Sequence, residues 1–241
     1  MSQPHFDWHT GRKLWHISGC LTMVAVYFLW RGLTTPFFWL NFLLVFAWLV
    51  AAAIIAVDIL RLYRPLDNLA YQSRLGFYSL ILRQHEHGGY SSATHSILAA
   101  ALIITGFYFG CFGEFVLLSA ILAMALCDPA AAWGRHLARH WHKDLRRLNG
   151  FSFFVLSAMI IMMTFGWFYG YHDLDEFLVA AILAALAEAY IGRAWNRLKK
   201  IFAVIIEPLG RQAPLWLSGF YPDDNLTVPL TLALTLMFLG Y

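Results

Sequence analysis

Residues 36–60 read PFFWLNFLLVFAWLVAAAIIAVDIL, and this stretch decides the class of fold. A helix needs about 20 mostly apolar residues to cross about 30 Å of hydrocarbon, and Pro36 to Leu60 supplies them. Working outward, windows of about 20 residues find a similar run before it, Leu14 to Trp30. Others follow at Thr94–Phe109, Glu114–Trp133, Phe151–Tyr169 and Phe177–Ile191, with a short last one from Leu226 to the C-terminus. Gly, Pro and polar clusters separate all seven. The expected fold is an all-α integral membrane protein of about seven transmembrane helices plus interfacial amphipathic helices. Residues 1–241 form a single polytopic membrane domain, without an internal repeat or a soluble domain.

Composition agrees. Of the 241 residues 60% are hydrophobic and 13% charged, with a mean hydropathy of +0.61, whereas a soluble domain carries about 25% charged residues. The first apolar run lacks a small-residue cleavage pattern and is followed by further runs, so it reads as a span rather than a cleaved signal. Cys20, Cys111 and Cys127 have no metal-ligand spacing. Cys20 and Cys127 fall inside apolar runs and read as packed thiols, with no disulfide framework.

Orientation follows from Lys and Arg in the short loops. The N-terminal tail and the loops after the second, fourth and sixth spans hold 16 of the 17 basic residues, leaving Arg31 opposite. Seven spans put those four segments on one side, so the N-terminus is expected to be cytoplasmic. Two segments on that side, about 65–87 and 193–217, mix apolar and charged residues and are expected to lie in the interface. Attraction to anionic headgroups accounts for part of this charge.

Ionisable groups inside a span cost several kcal/mol unless paired or hydrated. Asp128 lies 14 residues after Glu114, about 21 Å along a helix, hence one or two turns inside the cytoplasmic end. Pro129 follows it, and a proline-freed carbonyl suits a cavity wall better than lipid. Asp128 either snorkels, pairs with Arg135 or serves a ligand. Glu188 stands at matching depth in the sixth span, and two carboxylates there could hold a divalent cation with a phosphorylated ligand. His16 shares a helix face with Arg12. Ser91, Ser92, Thr94 and His95 make a hydroxyl-rich entrance to the third span, although such residues also pack quietly between helices. Asp223, Asp224 and Asn225 precede the last span, where one cap suffices. Nine of the ten histidines, all but His172, map to the same side. A polar cavity opening to the cytoplasm accounts for this gathering.

The order Arg12-Lys13-Leu14-Trp15-His16, Ser91-Ser92-Ala93-Thr94, Cys127-Asp128-Pro129-Ala130-Ala131 with Gly134-Arg135, and Asp224-Asn225-Leu226-Thr227-Val228-Pro229-Leu230 resembles the dolichol kinase, phytol kinase and CTP-dependent diacylglycerol kinase family. That family is similar to the phosphatidate cytidylyltransferases. The resemblance runs from Arg12 to the C-terminus. It implies a CTP-dependent lipid kinase-like phosphotransferase that uses Mg²⁺. Asp128, Asp223 and Asp224 would bind the metal. Arg135, Lys143, Arg146 and Arg147 would bind phosphates, with Arg12, Lys13, Thr94 and Asn225 completing the nucleotide site. The base would be a carboxylate or a histidine, with His16, His95, Asp128 and Glu188 the candidates. Four departures stand out. His9 occupies the neighbourhood of an acidic residue, the gap from Asp128 to Gly134 is one residue short, Arg146-Arg147-Leu148-Asn149-Gly150-Phe151 lacks the family's carboxylate and hydroxyl, and the segment between Glu188 and Asp223 is long.

The expected partners are a membrane lipid alcohol (polyprenol, phytol or diacylglycerol) and a nucleoside triphosphate, in a bacterial cytoplasmic membrane with the site facing the cytoplasm. No Gly-x-x-x-x-Gly-Lys-Ser/Thr loop is present, so a P-loop is not the route. Two alternatives remain. A cytidylyltransferase would use the same site on a lipid phosphate, and a transporter or non-catalytic membrane protein would use none of it.

Overall fold

Hydropathy locates helices but not their ends, which depend on caps and on charged residues that continue a helix past the apolar stretch. The computed structural model describes residues 10–33, 36–63, 90–206 and 224–241. Among them are seven α-helices and no strand: α1 (Thr10–Leu33), α2 (Pro36–Tyr63), α3 (Ser92–Tyr108), α4 (Glu114–Leu137), α5 (Lys143–Tyr169), α6 (Leu174–Ile206) and α7 (Asp224–Phe238). Each expected span coincides with one helix. Phe38–Ile59, Glu114–Leu137 and Lys143–Tyr169 are long and apolar enough to cross a membrane, and Ile17–Leu29, Ser92–Tyr108 and Asn225–Phe238 are shorter apolar helices.

The ends differ from the hydropathy reading for local reasons. Helix α4 runs through Pro129 to Leu137, and α5 begins at Lys143. Arg135 therefore stands in the last turn of α4, and Lys143, Arg146 and Arg147 stand in the first turns of α5, where a loop was expected. Helix α6 continues past Ile191 to Ile206, so residues 193–206 belong to the same helix as the sixth apolar run. At 33 residues it is about 50 Å long, more than the hydrocarbon requires. The interfacial segment expected at 65–87 and the part of the second one beyond Ile206 lie outside the described residues.

Helix α4 is the hub, packed against α1, α3, α5 and α7. Its buried face is rich in small residues (Ala120, Ala123, Ala125, Ala131), as is that of α6 (Ala180, Ala181, Ala184), which lets helix axes approach closely. Cys20 and Cys127 are buried in this packing and Cys111 is exposed, all three as free thiols. Helix α2 is the opposite case. It packs mainly on α3, and only 11% of its apolar window is buried. Leaving Val45, Leu49 and Phe46 exposed would be an aggregation liability in water, but it suits a hydrocarbon surrounding.

Polar contacts tie neighbouring helices together at both ends. At one end Arg31 Nη1 reaches Glu114 Oε2 at 2.6 Å, Tyr169 Oη donates to the same oxygen at 2.9 Å, and Tyr241 Oη donates to Asp173 at 3.0 Å. Tyr108 Oη meets Asn41 Oδ1 at 2.9 Å there too. These contacts join the end of α1, the starts of α2, α4 and α6, and the ends of α3, α5 and the chain. The helices therefore alternate in direction through the bundle. The turn after α5 uses Gly170, which has φ +80°, a left-handed conformation that favours glycine at a helix C-terminus.

Candidate functional site

The opposite end of the bundle holds the buried polar residues Asp58, Ser91, Ser92, Thr94, His95 and Asn225. Ser91 caps α3, its Oγ accepting from the Thr94 N–H at 3.3 Å. Asp58, near the end of α2, has no exposed surface. Its Oδ2 accepts from the Ser91 N–H at 2.6 Å and from Thr94 Oγ1 at 2.5 Å. A carboxylate here also faces the positive end of the α3 dipole. Asn225 Nδ2 donates to Ser92 Oγ at 2.5 Å, which brings the start of α7 against the start of α3. His95, 2% exposed, sets Nδ1 2.9 Å from the Ser91 carbonyl. A carbonyl oxygen can only accept, so Nδ1 carries a hydrogen, which leaves Nε2 as the acceptor whenever the ring is neutral.

A second cluster joins α4, α5 and α6. Arg135 Nη1 lies 3.1 Å from Glu188 Oε1, and its Nη2 lies 3.7 Å from Asp128 Oδ1. The guanidinium is thus set between the two carboxylates that depth-counting paired. Helix α5 fixes its stem by a close approach. A Cβ on Gly150 would come 2.6 Å from Arg135 Cγ, and one on Gly134 would come 2.7 Å from Phe153 Cγ. Asn149 Nδ2 donates to the Gly134 carbonyl at 2.6 Å, giving Asn149 a definite part in the stretch that departs from the family pattern. A cavity of about 650 Å³ opens beside this cluster, lined by Arg135, Glu188, Asp144, Arg147, Phe151 and Tyr190 among others. Arg147 lies 4.0 Å from Asp144, and Lys143 and Arg146 are exposed on the first turns of α5.

Of the residues singled out in the sequence, Thr94, His95 and Asn225 meet in the first cluster. Asp128, Arg135 and Glu188 meet in the second, with Arg147 on its cavity wall. Arg12, Lys13 and His16 have side chains outside the described residues, as do Asp223 and the side chain of Asp224. Asp58 is the residue the sequence reading missed. The signal was available, because the rule that marks ionisable residues inside apolar runs applies equally to it.

Among the described residues no three of His, Cys, Asp and Glu converge as a metal-binding group. Mg²⁺ in phosphoryl-transfer sites takes one or two protein carboxylates and completes its shell with substrate phosphates and water. Asp128 offers a partly exposed carboxylate of that kind, so the donor chemistry suits the ion. No protein-family model matches this chain, and no curated protein or solved structure shows significant similarity to it.

Proposed function

We propose that this chain is a seven-span membrane phosphotransferase, with its N-terminus and active site at the cytoplasmic face of a bacterial inner membrane. It transfers the terminal phosphoryl group of a nucleoside triphosphate, CTP by the family resemblance, to the hydroxyl of a lipid alcohol. One observation supports this most directly. Arg135 is held between Asp128 and Glu188 on the wall of a cavity of about 650 Å³ that it shares with Arg147. A guanidinium has five N–H donors, and two carboxylate partners do not exhaust them. A phosphate entering the cavity meets an oriented cation whose geometry is already fixed, the contribution phosphoryl transfer asks of a protein.

In this reading the lipid hydroxyl oxygen attacks the terminal phosphorus and the bond to the bridging oxygen breaks. The nucleoside diphosphate leaves, and the hydroxyl proton passes to a base. Arg135 and Arg147 orient the phosphates, with Lys143 and Arg146 drawing the nucleotide to the cavity mouth. Asp128, with Asp223 and Asp224, would hold Mg²⁺, which offsets phosphate charge when bound. His95 supplies an acceptor nitrogen at Nε2, and His16 and Glu188 are the other bases on this face. Thr94 and Asn225 hold the first turns of α3 and α7 in place around the site, and Arg12 and Lys13 complete the basic rim.

The test incubates purified protein with labelled nucleoside triphosphates and a panel of lipid alcohols, with and without Mg²⁺. Lipid phosphate and nucleoside diphosphate are the expected products. Release of pyrophosphate from a lipid phosphate acceptor would establish the cytidylyltransferase reading instead. No turnover with any pair, or wild-type turnover by Asp128→Asn, would count against the assignment.

A further inference from the structure

A second cavity, of about 400 Å³, lies among α1, α2, α3 and α4. Trp39, Phe46 and Val50 line it from α2, Ile97 and Ala100 from α3, and Leu118 from α4. Its exposed lining residues, Thr22, Val26, Phe42 and Phe46, belong to α1 and α2. The cavity therefore opens sideways between those two helices, which touch each other little. Its mouth is continuous with the exposed apolar surface at Val45 and Leu49. An apolar slot opening from a lipid-facing surface admits hydrocarbon rather than water.

Depth identifies the kind of chain. From Trp39 to Val50 the slot follows α2 for about 16 Å. Ile97, at its inner end, is one turn from Thr94, whose hydroxyl donates to Asp58. Trp39, at its far end, lies about 28 Å along α2 from Asp58. One leaflet of hydrocarbon is only about 15 Å deep. A lipid with its polar head at the level of Asp58 and Thr94 can fill the slot only by sending its chain across the midplane.

We infer that this slot is a tail-binding site for a lipid whose single hydrocarbon chain is longer than one leaflet, with the head lying at the Asp58–Thr94 end. The inference rests on the phosphotransferase reading for the chemistry of the head, which is the acceptor hydroxyl. It adds a selection by chain length that the charged end of the bundle cannot make.

Photoaffinity labelling tests it without nucleotide. The full chain in lipid nanodiscs is exposed to straight-chain alcohols bearing a terminal diazirine, one shorter and one longer than a leaflet. The long probe is expected to label Leu117, Leu118 or Ile121, all buried on α4, and unlabelled long-chain alcohol should compete. Ala100→Phe, which fills the slot from α3, should cut that labelling about tenfold, a loss of about 1.4 kcal/mol in binding. Ala47→Phe fills it from α2 and serves if the first variant fails to fold. Labelling confined to outward residues such as Leu49 would overturn the proposal, because bulk lipid reaches those. Equal labelling of α4 by both probes, or undiminished labelling in the filled variants, would overturn it too. Inward labelling without any nucleotide turnover would remove the phosphotransferase reading and leave the slot standing. Turnover without inward labelling would remove the slot alone.

Discussion

A carboxylate with no exposed surface needs donors, and Asp58 takes two from the first turn of α3, the Ser91 N–H and the Thr94 hydroxyl. Removing the acceptor leaves a buried backbone N–H unsatisfied, at a cost of about 1–3 kcal/mol. Asp58→Ala should therefore lower the melting temperature in detergent by several degrees, at roughly 2–4 °C per kcal/mol for a chain of this size. Asp58→Asn keeps a carbonyl oxygen at the same place and should recover most of the loss. Equal melting of both variants and wild type would show that the contact does not hold α2 to α3. The same residues show what a sequence conceals. The hydroxyls of Ser91, Ser92 and Thr94 read either as a hydroxyl-rich entrance or as groups packed quietly between helices, because their partners stand far away in sequence. Thr94 is engaged by Asp58, 36 residues before it, and Ser92 by Asn225, 133 residues after it. Asp58 itself sits three residues before Arg61, where a carboxylate looks like part of an interfacial helix end.

Helices were legible from the apolar runs because each run alone nearly fills a bilayer, whatever it packs against. Their ends were not, since a helix continues through charged residues wherever backbone hydrogen bonds carry it, as in α5 from Lys143 and α6 to Ile206. Depth-counting was equally local, and it placed Asp128 and Glu188 at one level. It could not show which neighbour sets Arg135 between them. That neighbour is α5, through the interlock of Gly134, Asn149 and Gly150. Glycine to alanine within a helix normally gains up to about 1 kcal/mol from propensity. At Gly150 the added carbon meets Arg135 Cγ at 2.6 Å and the Ala131 carbonyl at 3.1 Å, and overpacking costs about 1–3 kcal/mol. The collision should win, so Gly150→Ala lowers thermal stability. Gly19→Ala, with nothing within 4 Å of its new carbon, should be neutral or stabilising. Matching shifts in the two variants would show that α4 and α5 do not approach as described.

For the whole molecule, the contacts at the two ends and the distribution of charge give one consistent arrangement. Arg31, Glu114, Tyr169 and the C-terminal Tyr241 gather at one end, and among the described residues Arg135, Lys143, Arg146 and Arg147 stand at the other, at the end of α4 and the start of α5. In the orientation we propose, the basic end faces the cytoplasm by the positive-inside bias, and the turn between α3 and α4 would then face outward. That turn carries Cys111, an exposed free thiol, whereas Cys20 and Cys127 are buried. The chain therefore contains its own topology probe. Thiolate reactivity depends on exposure, so a membrane-impermeant maleimide added to intact spheroplasts should label Cys111 and leave Cys20 and Cys127 unmodified. Cys111→Ser should abolish the labelling. Labelling that appears only after permeabilisation would invert the orientation, and would move the Arg135 cavity to the outer face, away from nucleoside triphosphates. The assignment of a nucleotide-dependent activity thus depends on which side of the membrane Cys111 occupies.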